Sequence, residues 1–279
     1  MSRLKVIAYP PAKLLKGYIR RILVTLGDEQ TDENIPIGPT GFAYFTYSRY
    51  PIILHYSRKV IRSGEQLYLT GQISDEQPWF EVRGKFFHVG LELLPSSMWY
   101  FFGVPGKDML DTGMTLSQIK PALSDKLKKR LERLEDPEEV ARNLQQILID
   151  LLPLSHPHIP YIDKALEVIY SQSGIVEIRE LISELKVSER HFRRQFKKVV
   201  GIGAKQYCKI IQFNSVFEAI KTRNDAKLTE LALMNGYYDQ SHFIHDFKIN
   251  LGLSPRNFLL SEHSFLRNYL GTFNQKKNN

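Results

Sequence analysis

The sequence predicts an α+β protein with a β-rich, barrel-like N-terminal domain, a helical extension and an all-α C-terminal domain that contains two helix-turn-helix units. Short aromatic and β-branched runs fill the first 120 residues, amphipathic helical patterns follow, and a helix-turn-helix pattern then occurs twice. The predicted boundaries are 1–120 for the β-rich domain, 121–153 for the extension, 154–160 for a linker, 161–264 for the helical domain and 265–279 for a tail.

Four runs in the first 94 residues are typical of β-strands. They combine aromatic and β-branched residues and are bounded by Gly, Pro, Ser or Asp. The runs are GFAYFTY, PIILHYS, EQLYLTG and WFEVRGKFFHVGLELL. Several short strands at this spacing predict a small barrel or sandwich.

The segment SDKLKKRLERLEDPEEVARNLQQILIDLLP contains two helical patterns that are broken at Asp136-Pro137, where Pro137 suits the first turn of the second helix. The apolar residues of that helix fall on one stripe. They are Val140, Leu144, Ile147, Leu148 and Leu151. Such a stripe packs either on its own domain or on another subunit, and both readings stay open at this point.

The linker LSHPHIP contains two prolines, which preclude a continuous helix. His156 and His158 lie in it without a third ligand nearby in sequence, so we predict no metal site there. The single cysteine, Cys208, can form neither an internal disulfide nor a thiolate zinc site alone, and we interpret it as a small apolar helix residue.

The charge of the chain is unevenly distributed. The net charge is +8, of which residues 1–155 carry +2 and the shorter segment 156–279 carries +6. This asymmetry favours a polyanion as partner of the C-terminal part. No apolar run is long enough to cross a bilayer and no secretory signal is present, so we expect a cytoplasmic protein that does not contact a membrane.

The C-terminal part contains an internal repeat of about 51 residues. IRELISELKVSERHFRRQFKKVVGIG matches LTELALMNGYYDQSHFIHDFKINLGLS, with a Glu-Leu in a short helix, a tight turn and a Ser or Asp cap before a longer helix. Phe192 and Phe196 correspond to Phe243 and Phe247, and Gly201 to Gly252. A phenylalanine pair at i and i+4 anchors one face of a helix to the core and leaves the opposite face free.

That free face predicts DNA contacts in the major groove, because arginine suits guanine and phosphate oxygens and because helix N-termini suit phosphate. The candidates on the first longer helix are Arg190, His191, Arg193, Arg194 and Lys197. Those on the second are Asp239, Gln240, Ser241, His242, His245 and Lys248. The first face is rich in arginine, so we expect it to supply most of the affinity, and the second to tune specificity.

Residues 161 to about 262 resemble the DNA-binding domain of the bacterial AraC/XylS family of transcription regulators. The second unit carries the clearer signature. Its matching residues are Ala232, Gly236-Tyr237, Ser241-His242-Phe243, Phe247-Lys248, Gly252, Ser254-Pro255 and Phe258. The resemblance implies that a long helix, residues 204–222, holds both recognition helices on one face of double-stranded DNA, about one duplex turn apart.

Three departures from the family pattern are present. Gln212 and His245 stand where the family usually has Arg, and Gly203-Ala204 replaces the usual Ser-Pro after the first unit. These departures put in doubt one contact of the long helix and the strength of the second half-site.

Residues 9 to about 115 resemble, more weakly, the cupin-like N-terminal domain of one branch of these regulators, which implies a module that senses a signal or dimerises. The features that carry this resemblance are Pro10-Pro11, Leu14, Tyr18, residues 39–44, Gly71-Gln72 and the segment VGLELLPSSMWYFFGVPGKDMLD. A cupin metal site needs closely spaced histidines, and only His55 and His88 lie in this region, so we predict no catalytic residue, metal or cofactor.

The leading hypothesis is therefore a sequence-specific transcription regulator, with RNA polymerase, a small-molecule effector and a second copy of the chain left open as further partners. The first alternative is an enzyme with an appended DNA-binding domain of the repair-methyltransferase kind, which would need an acceptor cysteine. The second is a protein-interaction module that has lost DNA binding, as the changes at Gln212 and His245 would allow.

Overall fold

The structure is a computed structural model that describes residues 4–56, 59–64, 66–74, 78–222, 228–252 and 254–260. In the described N-terminal half, the strands form two antiparallel sheets. The strands are β1 (Lys5–Tyr9), β2 (Ile19–Gly27), β3 (Asp32–Pro36), β4 (Ala43–Ser48), β5 (Ile52–Tyr56), β6 (Lys59–Ser63), β7 (Leu67–Thr70), β8 (Trp79–Arg83), β9 (Phe86–Leu93) and β10 (Gly113–Thr115).

The larger sheet has the strand order β1-β2-β9-β4-β7-β10, and the smaller sheet has the order β3-β8-β5-β6. The predicted β-rich domain is confirmed, with two sheets in place of a closed barrel. Strand β2, which was not predicted, lies between β1 and β9. Residues on both faces of β2 are buried, so its sequence lacks the alternation that marks a half-exposed strand.

The helices follow the sheets along the chain. They are α1 (Ser97–Phe102), α2 (Leu116–Ile119), α3 (Pro121–Leu131), α4 (Pro137–Leu151), α5 (Pro160–Ser171), α6 (Ile178–Glu184), α7 (Glu189–Val200), α8 (Ala204–Thr222), α9 (Leu228–Met234), α10 (Gln240–Leu251) and α11 (Pro255–Leu260). A 3-10 turn spans Gly106–Met109. Within the described residues, no helix is both long and apolar enough to cross a membrane.

The predicted apolar stripe lies on α4 and packs inside the N-terminal half. Asp136 caps the helix by accepting a hydrogen bond from the Glu138 amide at 3.0 Å, and Pro137 occupies its first turn. The whole stripe is buried in the core that the larger sheet forms with its helices, and α4 packs against β9. The stripe therefore belongs to the interior of its own chain.

The segment predicted to be a linker is held in place by hydrogen bonds. The His156 amide donates to the Tyr100 carbonyl at 2.8 Å, and the Ile159 amide donates to the Tyr100 hydroxyl at 3.2 Å. His158 lies 3.0 Å from both the Tyr18 hydroxyl and Asp163. The domain boundaries themselves stay a prediction. In the described ranges, no group of three or more His, Cys, Asp or Glu side chains could hold a metal ion.

A cavity of about 120 Å³ lies between the two sheets and is lined mainly by apolar side chains. His88 on β9 faces this cavity, with its ring stacked on Phe86 at 5.7 Å between centroids. Burial lowers the pKa of His88 to about 4, because the charged imidazolium would lose its hydration there.

Replacing Leu144 of α4 by Ala should lower the free energy of unfolding by about 2–5 kcal/mol, because the side chain is fully buried and its removal leaves a cavity. Urea denaturation of the full chain measures this change. The matched control is Leu154→Ala, a residue 77% exposed, which should change stability by less than about 0.5 kcal/mol. Equal effects of the two substitutions would contradict the packing of α4.

Acid should destabilise the protein through His88. The unfolded chain binds a proton at His88 below pH 6.5 and the folded chain only below about pH 4, so stability falls as the pH drops through this window. The loss should amount to about 3 kcal/mol. In urea denaturation between pH 7 and 4, the free energy of unfolding should depend less on pH in His88→Gln than in the wild type. An identical pH dependence in the two proteins would show that His88 does not cause the loss.

Candidate nucleic-acid interface

The two helix-turn-helix units have the same internal packing. In the first, Leu181 and Ile182 of α6 are buried against α7, and in the second, Leu231 and Ala232 of α9 are buried against α10. The rings of Phe192 and Phe196 lie 5.5 Å apart, and those of Phe243 and Phe247 lie 5.6 Å apart. All four rings are fully buried, so each longer helix turns its opposite face away from the core.

Each longer helix begins and ends as the sequence predicts. Ser188 accepts a hydrogen bond from the His191 amide at 3.4 Å, and Asp239 accepts one from the His242 amide at 2.8 Å. Gly201 and Gly252 end the helices with positive φ angles of 101° and 74°, which glycine adopts without steric cost.

The turn of the second unit is one residue longer than that of the first. Helices α6 and α9 start 50 residues apart, whereas α7 and α10 start 51 residues apart. In the first turn Lys186 has a φ of 54°, and in the second Gly236 has a φ of 77°. The additional residue is Tyr238, which is 88% exposed next to the start of α10. Tyr238 was not predicted from the sequence, although the spacing between equivalent residues of the two units increases from 50 to 51 at this turn.

The exposed face of α7 is strongly basic. Arg190, Arg193, Arg194 and Lys197 are all exposed. Arg193 donates to Glu189 one turn earlier, with 2.8 Å between Nε and Oε1. These side chains share one side of the helix because they recur at intervals of three and four residues. The face therefore presents four cationic side chains to solvent.

His191 differs from its neighbours because it is half-buried. Its Nε2 lies 2.7 Å from the hydroxyl of Tyr161 on α5, and its Nδ1 lies 3.4 Å from Nη2 of Arg194. The histidine thus links α7 to α5 while it touches the basic face. Tyr161 is a second residue that sequence reasoning missed, since a contact across 30 residues leaves no local signal.

The face of α10 is exposed and much less charged. Gln240, Ser241, His242, His245 and Lys248 are exposed, and Asp239 caps the helix at its start. His242 lies 3.7 Å from Asp246 and packs edge-on against Tyr237 at 5.2 Å between ring centroids. This face offers hydrogen-bonding groups in place of a row of cations.

Helix α8 connects the units, as the resemblance implies. Gln212, at a position that departs from the family pattern, donates to the Asn235 carbonyl at 2.9 Å and so contacts the turn of the second unit. Ser215 bonds the Asn235 side chain at 2.6 Å. Cys208 is buried on the same helix, and burial raises the pKa of its thiol to about 12, so the thiol stays protonated and packs among apolar side chains.

Comparison with known proteins agrees with this geometry. Residues 181–261 match a protein family described as "Helix-turn-helix domain", and the match covers the first unit from the middle of α6 onward and the whole of the second. No curated protein is similar enough in sequence to count as a relative. The matched family is a DNA-binding one, which agrees with the expectation that the chain is not an enzyme.

Solved structures with a related arrangement share little sequence with this chain. ToxT from Vibrio cholerae is 11% identical, with 93% of this chain and 98% of that chain covered and a TM-score of 0.48. ToxT bound to (E)-4-(8-methylnaphthalen-1-yl)but-3-enoic acid is 11% identical, covering 98% and 100%, with a TM-score of 0.49. The AraC-like transcriptional activator CuxR is 11% identical, covering 84% and 91%, with a TM-score of 0.31.

Because these scores lie below 0.5, the assignment rests on the matched residues and on the geometry of the repeat. Both predicted units are present, each with a capped longer helix, a buried phenylalanine pair and an exposed polar face. The chain therefore carries a C-terminal helix-turn-helix domain of the type found in AraC/XylS transcription regulators.

Proposed function

We propose that this protein is a sequence-specific transcription regulator that inserts α7 and α10 into successive major-groove segments of double-stranded DNA. The observation that carries the proposal is the repeat itself, in which two helices bury equivalent phenylalanine pairs and expose their opposite faces. A structural role alone would not need two capped helices with polar faces free of packing. The positive charge of the C-terminal part supports the same partner.

The two faces divide the work of recognition. Arg190, Arg193, Arg194 and Lys197 of α7 supply most of the affinity, because guanidinium groups reach both phosphate and guanine edges. Ser241, His242, His245 and Lys248 of α10 supply mainly hydrogen bonds to base edges, with Asp239 and Gln240 at the start of the helix. His191 contributes through its contact with Arg194.

The alternative of a module that has lost DNA binding rests on the changes at Gln212 and His245. Gln212 bonds the second unit through the Asn235 carbonyl, so the connection between the units does not depend on an arginine there. His245 is exposed on the proposed reading face, where it can accept or donate a hydrogen bond. Both observations favour a retained DNA-binding role.

The N-terminal half, in this proposal, senses a small apolar molecule in the cavity between the sheets. A cavity of about 120 Å³ with apolar walls suits a molecule about as large as a benzene ring. Dimerisation through the same half and contact with RNA polymerase are further parts of the proposal, in keeping with a bacterial regulator that acts in the cytoplasm.

The substitution Arg194→Ala should weaken binding to a DNA site that the full-length protein has selected from a random pool. We expect a loss of about 1–3 kcal/mol, and a salt dependence of the association constant that is lower by about one unit if the arginine contacts phosphate. Fluorescence anisotropy at several salt concentrations measures both quantities. Arg142→Ala, which removes an exposed arginine of α4, is the matched control and should change neither.

Two results would contradict the proposal. A greater loss of binding from His245→Ala than from Arg194→Ala would reverse the division of work between the helices. Failure of the selection to enrich any sequence over random duplex would refute sequence-specific binding altogether. If selection succeeds, a single asymmetric site indicates a monomer, whereas direct or inverted repeats indicate a dimer.

Occupation of the cavity should stabilise the fold. Benzene, used as a probe, should raise the melting temperature of the full chain in a concentration-dependent way. Gly90 lines the cavity, and a Cβ at this position would meet its neighbours at ordinary contact distances of 3.4–3.9 Å. The variant Gly90→Val should therefore fill the space and abolish the benzene effect, and an equal shift in both proteins would argue against binding in this cavity.

A further inference from the structure

The helix that joins the two DNA-binding units is bonded to a loop of the N-terminal half. Asn214 on α8 is only 5% exposed, and its Nδ2 donates to the carbonyl oxygens of Pro39 and Thr40 at 3.2 and 3.0 Å. The two partners lie about 175 residues away in sequence. Because a buried amide donor is costly to leave without an acceptor, this bond fixes the loop on the helix.

Residues 38–42, which we call the anchor loop, approach the helical half very closely. Gly41 has a φ of +79°, and a Cβ at this position would lie 2.9 Å from Cδ1 of Ile211. A Cβ on Gly38 would lie 3.0 Å from Cδ2 of Leu251, the last residue of α10. The anchor loop therefore contacts both the connecting helix and the end of the second recognition helix.

A separate part of the N-terminal half contacts the first recognition helix. A Cβ on Gly106 would lie 2.5 Å from the carbonyl oxygen of Val199, so the backbones of the 3-10 turn and of α7 are in direct contact. The ammonium group of Lys198 lies 4.2 Å from the ring centroid of Trp99. Both recognition helices are thus held at their C-terminal ends by the same half of the protein.

The anchor loop is itself fixed to the interior of the larger sheet. The Tyr44 hydroxyl lies 2.9 Å from Oγ1 of Thr40 and 2.9 Å from Oε1 of Glu92. Glu92 is fully buried and pairs with Arg21 at 2.7 Å. Burial opposes the charge of Glu92, but the guanidinium groups of Arg21 and Arg20 outweigh it and lower the pKa of the carboxyl group. The carboxylate therefore stays charged and rigidly bonded.

We propose that Asn214 is a positioning residue through which the anchor loop sets the relative placement of the two helix-turn-helix units, and hence the half-site spacing that the protein prefers. The proposal rests on the proposed function, since spacing matters only if both units bind DNA. It goes further in that the connecting helix does not determine the spacing alone. The N-terminal half contacts both recognition helices and so fixes their positions relative to each other.

The placement of the units can be measured without DNA. In a full chain carrying Cys208→Ala, spin labels at Glu184→Cys and Glu230→Cys would report on one exposed site in each unit. We expect pulsed electron paramagnetic resonance to give a narrow distribution of distances for this background. Asn214→Asp should broaden it, because a carboxylate has no donor for the two carbonyl oxygens and is repelled by them.

Asn143→Asp is the matched control. The Asn143 amide donates at 2.7 Å to the Glu139 carbonyl within α4, far along the chain from the anchor loop, so its loss should leave the distribution narrow. Asn214→Ser is a milder second variant in case Asn214→Asp does not fold, and thermal melting followed by circular dichroism would establish that each labelled protein is folded.

Preference for spacing gives the second measurement. The selected site is compared with the same site lengthened by about 5 base pairs, half a turn of the duplex, between its halves. The preference for the selected spacing is the ratio of the affinities for these two sites. We expect this ratio to fall about tenfold in the Asn214 variants, while their affinity for an isolated half-site is unchanged. Asn143→Asp should keep the full preference.

A narrow distribution and an unchanged spacing preference in folded Asn214 variants would overturn the positioning role. If the unlabelled wild type shows no sequence preference, the proposed function fails, whereas the distance distributions still decide whether Asn214 positions the units.

Discussion

Both DNA-binding units depend on one constraint, the burial of two aromatic rings one helical turn apart. Phe192 with Phe196, and Phe243 with Phe247, commit one side of each longer helix to the core. Because a helix has only one opposite side, the residues at the remaining positions are forced outward. The same packing therefore produces the fold of the unit and presents its polar face.

The two faces have different chemistry although their packing is equivalent. On α7 the outward positions carry arginine and lysine, whereas on α10 they carry glutamine, serine, histidine and one lysine, Lys248. Charge attracts DNA of any sequence, and hydrogen-bonding groups discriminate between base edges. The additional exposed Tyr238 beside α10 adds to this difference between the two faces.

The N-terminal half is in direct contact with these units. Its larger sheet uses one face to bury α4 and the other to form the cavity, and the anchor loop leads from the edge of that cavity to α8. Tyr44 belongs to both, since it lines the cavity and bonds Thr40 of the loop. Tyr44 therefore connects the wall of the cavity to the anchor loop, which is bonded to α8.

The sequence by itself determined the features that depend on local pattern. Caps such as Ser188 and Asp239, the proline at the start of α4 and the phenylalanine pairs are encoded at fixed spacing, so the repeat and its exposed faces could be predicted. Strand β2 was not predicted, because burial on both faces removes the alternation of apolar and polar residues that marks a half-exposed strand. Only the tertiary structure decided that the stripe of α4 packs inside its own chain, that His191 contacts Tyr161 and that Asn214 binds the anchor loop. Such contacts join residues far apart in the chain, and complementary shape and hydrogen bonding across that distance leave no periodic trace in a sequence.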